Sequence, residues 1–114
     1  DTAATKAALN NITALLDPVP IEQLRYRPQA LMLGGLAHFG LNEPEKAKPY
    51  LEAVQRMQPG SGVAKLLAKI YVAEKSNNRA IATLEAYLAV NPRDSQALLL
   101  LASAHMAQGR HARA

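Results

Sequence analysis

The chain has 114 residues, carries a formal net charge of +4 and contains no cysteine or tryptophan. Ala and Leu fill 22 and 17 positions while Val, Ile and Thr together fill 13, a balance that favours packed helices over a β-sheet. The lack of cysteine excludes disulfides and thiolate metal sites, and 49% apolar with 19% charged residues excludes a disordered chain.

Taken in order, the first stretch, about Thr2 to Leu16, places Ala8, Leu9, Ile12, Leu15 and Leu16 on one side of a helix. After Pro18 to Pro20, a second helix is predicted over Pro28 to Phe39, opening on Pro and stopping at Gly40. A third follows Asn42, where Asn42 and Glu45 have the spacing of a capping box. Pro49 falls inside it, at about 3 kcal/mol in a regular helix, so distortion is expected around Glu45 to Lys48. Further helices are predicted over Gly62 to Lys75 after Ser61, Arg79 to Val90 after Asn78, and Ser95 to Gln108 after Asp94. Gly109 reads as a break, with a last helix beginning at Arg110. The longest purely apolar run, Ala97 to Ala102, is far short of the roughly 20 residues of a membrane span. The chain begins at Asp1 without an initiator Met or a basic leader, so it reads as an excerpt with any targeting sequence outside it.

Helices of similar length invite a search for repeats. Gly35, Ala47, Leu51, Val54 and Pro59 recur at a constant offset of 33 as Ala68, Ala80, Leu84, Tyr87 and Pro92. Ala102 and Ala114 follow at an offset of 34, and one further slot reads His38, Tyr71, His105. Upstream, Ala8, Ile12, Leu15 and Pro20 reproduce the second half of the unit, separated from the next by an insertion of about five residues. Small residues at 35, 68 and 102 let paired helices approach, and prolines end each unit.

This period, with Leu31, Gly34-Gly35, His38, Ala47, Leu51, Val54 and Pro59 in one unit, resembles the tetratricopeptide repeat (TPR). Ala64, Leu67-Ala68, Tyr71, Ala80, Leu84, Tyr87 and Pro92 match in the next, and Leu98, Leu101-Ala102, His105 and Ala114 in a partial third. Val54 and Tyr87 depart from the family's small residue. The resemblance implies an all-α fold, a right-handed superhelix of antiparallel helix pairs that forms a fragment of an α-solenoid. It divides the chain into the second helix of a preceding repeat (1–20), repeats at 28–60 and 61–94, and a truncated repeat at 95–114. More narrowly, Tyr26-Arg27-Pro28-Gln29-Ala30-Leu31, Lys65-Leu66-Leu67-Ala68 and the Met-Ala-Gln-Gly-Arg-His run within Ala97 to Ala112 resemble the TPR lipoproteins of the PEP-CTERM/exosortase system. That implies Gram-negative bacteria making exopolysaccharide, and a place at the cell envelope or periplasm.

The residues offer no catalytic, cofactor or metal site. His38 and His105 occupy a packing slot two repeats apart, and His111 is expected to be solvated. Glu43 and Glu45 sit near a helix start, where carboxylates complement the helix dipole and partner amides. No serine has a His/Asp companion, and Gly60-Ser61-Gly62 lacks the Gly-Lys-Ser/Thr of a phosphate loop.

What remains is surface. The resemblance implies a partner-binding groove lined by Met32, Leu36 and Phe39, by Lys65, Lys69 and Val72, and by Leu99, Ser103 and Met106. Each trio has i, i+4, i+7 spacing, and lysines beside Met and Phe suit an apolar segment with an acidic group. The alternative is that these residues pack against neighbours or are simply solvated. The leading reading is therefore a non-enzymatic scaffold for a protein or peptide. Repeats serving as a spacer, or a basic nucleic-acid binder, are alternatives; the second lacks the stacking aromatics such binding uses. Self-association through exposed faces at Leu9/Ile12 and after Gly109 is also expected. Residues 1–57 hold six basic and six acidic groups and 58–114 hold seven and three, so the net charge lies in the later repeats.

Overall fold

The helical expectation is met by the computed structural model, which describes residues 2–113, with side chains through 109. In order these form α1 (Thr2–Leu16), a 3-10 helix (Ile21–Leu24), α2 (Pro28–Gly40), α3 (Pro44–Met57), α4 (Val63–Ala73), α5 (Asn77–Val90) and α6 (Ser95–Arg113). No strand occurs among the described residues.

The repeat is written into the backbone. At the end of α2 the Glu43 N–H donates to the His38 carbonyl at 2.9 Å and the Asn42 N–H to the Phe39 carbonyl at 2.9 Å. At the end of α4 the Ser76 N–H donates to Tyr71 at 2.8 Å and the Lys75 N–H to Val72 at 3.0 Å. These paired bonds define the same helix-ending turn, with a left-handed residue at its centre: Asn42 at φ 62° and Lys75 at φ 64°. The next helix then starts identically, Glu43 accepting from Lys46 and Ala47, and Ser76 from Arg79 and Ala80. Three-residue turns of this kind fold α2 back on α3 and α4 back on α5.

This geometry corrects the predicted caps. Asn42 ends α2 and does not cap α3, because its left-handed backbone is needed to reverse the chain. Ser76, not Asn78, precedes α5, and Lys75 lies in the turn outside α4. The Ser61 hydroxyl reaches the Val63 N–H only at 3.4 Å, and α4 begins after Gly62. α3 runs unbroken through Pro49. Pro49 lies in the second turn on the exposed side of the helix, where it withholds one helix hydrogen-bond donor without breaking the run.

Gly109 does not break α6, and no separate helix starts at Arg110. A turn there would forfeit helix hydrogen bonds, against roughly 1 kcal/mol for an interior glycine. Ala114 and the side chain of His111 lie outside the described residues.

The chain divides into two units, one ending at Met57 and the other beginning at Gln58. In the first, α2 packs on α3, α1 packs on α2, and the 3-10 helix touches both α2 and α3. Leu31, Ala47, Leu51 and Val54 are fully buried. A side-chain carbon at Gly35 would lie 2.6 Å from Leu51 Cδ2, so any larger residue there forces the Leu51 side chain to shift. In the second unit α4 packs on α5, and α6 packs on both. Ala64, Ala80 and Leu84 are fully buried, and α6 buries the stripe of Ala97 and Ala104.

Slots that lack a covering helix behave differently. On α1, Leu9, Ile12 and Leu16 are half-buried, whereas Ala8 and Leu15 face solvent, Leu15 at 76% exposure. They occupy the places of buried Ala80 and Tyr87, which face another helix in α5. In α6, Leu98, Ala102 and His105 are exposed because the third unit keeps the offset of 33: Ala97 and Ala104, 33 residues after Ala64 and Tyr71, fill the buried slots, so the expected offset of 34 is one residue too long.

Candidate functional site

Each unit carries one polar cluster. In the first it centres on His38, which is 2% exposed in the last turns of α2. Its Nε2 lies 2.8 Å from Asp17 Oδ1, just past α1, and its Nδ1 lies 3.0 Å from Glu43 Oε1, in the turn to α3. Tyr50 of α3 stacks on the imidazole at 5.8 Å between centroids and donates its hydroxyl to Asp17 at 2.8 Å. Burial pulls the His38 pKa down, but the hydrogen bonds to Asp17 and Glu43 outweigh it and hold the pKa above the ordinary 6.5. Asp17 is raised by burial and lowered further by His38 and Tyr50, and Glu43 is lowered chiefly by His38. Burial and the Asp17 charge push Tyr50 up to about 12.

The expected packing role of His38 is therefore joined by an ionic one. Both ring nitrogens face carboxylates, so the ring has no lone pair to offer a substrate. Among the described residues no group of three His, Asp or Glu side chains is arranged to hold a metal ion. The Glu43 part had a readable signal, since a residue five after His38 at such a turn folds back over it. Asp17, 21 residues away, had none.

In the second unit, Asp94 caps α6. Its Oδ1 accepts the Ala97 N–H at 3.1 Å, while Oδ2 accepts the Tyr87 hydroxyl at 2.5 Å and the Lys65 ammonium at 2.9 Å. Lys65 also reaches Gln96 Oε1 at 3.2 Å and stands 5.7 Å from the Tyr87 ring centroid. Tyr87 and Lys65, then the Ala97 amide, hold Asp94 far below the usual carboxylate range. The bond to Asp94 also raises Lys65 and Tyr87.

The predicted groove residues are placed as follows. On α2, Met32 is half-buried and Leu36 and Phe39 are 45% and 40% exposed. On α4, Lys65 is committed to Asp94, Lys69 is exposed and Val72 is half-buried. On α6, Leu99, Ser103 and Met106 form an exposed stripe, with Leu99 at 70% and Met106 at 60%. Because α4 and α6 touch, the second unit brings its two trios onto neighbouring helices.

The insertion builds a surface that sequence reading missed. A depression of about 200 Å³ is lined by Ile21, Glu22, Arg25, Ala53, Arg56 and Met57. Beside it Tyr26, 81% exposed, lies under the Arg25 guanidinium at 4.9 Å.

The tetratricopeptide-repeat model matches residues 38–102 and again 71–114, on the same phase as the two helix-ending turns. The chain belongs to the tetratricopeptide-repeat family. No curated protein matches it. TPR units commonly mediate protein–protein interaction and are generally non-enzymatic scaffolds. Among the described residues no helix is long and apolar enough to cross a membrane.

Proposed function

We propose that this TPR segment is a non-enzymatic scaffold that binds a protein or peptide on the exposed faces of its first helices. The observation that carries this is the Leu99, Ser103 and Met106 stripe of α6, two large apolar side chains left in solvent beside α4 with exposed Lys69. Met32, Leu36 and Phe39 offer a second apolar face in the first unit. Peptides selected from a random phage library should bind with apolar anchors and lose at least roughly tenfold in affinity to Leu99→Glu or Met106→Glu, about 1.4 kcal/mol. Unchanged affinity in both variants contradicts the reading.

Lys65 favours a second reading at its own position, that of a spacer, because its charge is spent on Asp94 within the unit. Charge reversal at Lys69 with Lys65 left intact separates the two: lost affinity for acidic peptides supports the groove, and unchanged affinity supports the spacer. Nucleic acid is not the proposed partner, since Phe39 is the single aromatic side chain in these stripes. The sequence texture at Tyr26–Leu31, Lys65–Ala68 and in α6 supports a place in a PEP-CTERM/exosortase-type lipoprotein at the bacterial cell envelope. Cell fractionation of the tagged full-length protein tests that; recovery in the cytosol overturns it. Self-association belongs to the same proposal. Its surface is carried by exposed Leu15 and Leu98, since the expected Leu9 and Ile12 are half-buried on α2. Leu15→Glu should lower the mass seen by sedimentation at high concentration, and an unchanged mass removes Leu15 from that role.

A further inference from the structure

A neutral imidazole carries one N–H. His38 presents both ring nitrogens to carboxylate oxygens, 2.8 Å from Asp17 and 3.0 Å from Glu43, with 2% of its surface exposed. Both bonds can exist only when the ring is the doubly protonated cation. Loss of one proton sets a nitrogen lone pair against a carboxylate lone pair in a buried site, and one of the two carboxylates must leave. Glu43 is anchored, because its backbone is bonded into the α2 turn and the start of α3 and its side chain also meets Lys46 at 3.6 Å. Asp17 follows the last turn of α1, and 46% of its side chain is in solvent.

We propose that His38 is a proton-operated latch which docks the end of α1 onto α2 and α3 through Asp17. The groups facing the cluster are Asp17 beyond α1, Glu43 in the turn, and Tyr50 and Lys46 on α3. The charged groups of the 3-10 segment, Glu22 and Arg25, line the depression by Ala53 and Met57. Tyr50 also donates to Asp17 and, pushed up to about 12, keeps its proton across the physiological range, so the His38 proton is the charge whose loss weakens the hold on Asp17. When the latch opens, α1 withdraws Leu9 from beside Gly40, uncovering the last turns of α2. In the second unit the same repeat slot holds Tyr71, which carries no proton that leaves near neutrality. The device is thus particular to the first unit, and it does not depend on which partner the scaffold binds.

The test is amide hydrogen exchange of the whole chain at pH 6 and pH 9, corrected for intrinsic rates. Protection of α1 is expected to fall severalfold or more at the higher pH, while α4 and α5 stay constant. Asp17→Asn, a change at a half-exposed side chain, should make α1 protection equal at the two values. His38→Tyr, the residue of the second unit, should do the same. Flat protection of α1 in the parent overturns the proposal, and so does a parent-like pH response that persists in Asp17→Asn.

Discussion

The two units solve one problem with two chemistries. Each folds a helix hairpin around a left-handed residue, Asn42 or Lys75, with the same hydrogen bonds at an offset of 33. Each then ties a flanking helix to the hairpin with a carboxylate and a tyrosine. In the first unit the cation on that carboxylate is a buried histidine, and in the second it is Lys65. The ties do not share repeat positions: the His38 slot holds Tyr71 in the second unit, and the Lys65 and Tyr87 slots hold Met32 and Val54 in the first. The residue that carries the positive charge sets the pH range over which each tie holds.

The largest effects should test the shared part. Leu51 and Leu84 are equivalent and fully buried, so Leu51→Ala and Leu84→Ala should each cost about 2–5 kcal/mol in urea unfolding. A loss under about 1 kcal/mol at either site would mean the hairpins are not equivalent. Next comes the place where the units differ in close packing. Gly35→Ala puts a methyl 2.6 Å from Leu51 and should destabilise by about 1–3 kcal/mol, although Ala68 already occupies the same slot in the second unit.

A pH series sharpens the contrast further. The raised pKa of His38 makes its contribution complete below 6.5 and removes it as pH climbs through the folded value. Asp17 and Glu43, lowered from 3.8 and 4.5, contribute above those values and lose it as pH falls. The first unit should therefore be most stable between about pH 5 and 6.5. Asp94 is lowered from 3.8 and Lys65 raised from 10.5, so the second unit's tie should stay constant from about pH 5 to 9. Residue-resolved exchange across pH separates the two profiles. The smallest effect is at Gly109, where an added carbon meets nothing within 4 Å; Gly109→Ala should stabilise α6 by up to about 1 kcal/mol, read as helicity by circular dichroism.

Much of the fold was legible. Helix positions and the buried slots at Leu31, Ala47, Leu51, Ala64, Leu67 and Leu84 follow from periodicity and repeat phase alone, since both report which face is covered. The caps were misread because Asn42 satisfies two local rules, a helix start and a left-handed turn, and only the tertiary reversal decides between them. Leu15 and Leu98 show two other limits: the Leu15 slot predicts burial but no helix covers it, while an offset of 34 puts Leu98 in a core slot that the fold, keeping 33, gives to Ala97. Of the candidate site, the exposed α6 stripe was visible as a helical pattern. The partners of His38 and Lys65 were not, because Asp17 and Asp94 lie 21 and 29 residues away and reach them through packing.

The most direct measurement is the side-chain titration of His38 by NMR, following both ring nitrogens. The midpoint should lie above 6.5, with two bound protons at pH 6, one toward Asp17 and one toward Glu43. A midpoint at or below 6.5, or a single-proton tautomer at pH 6, would contradict the proton-operated latch.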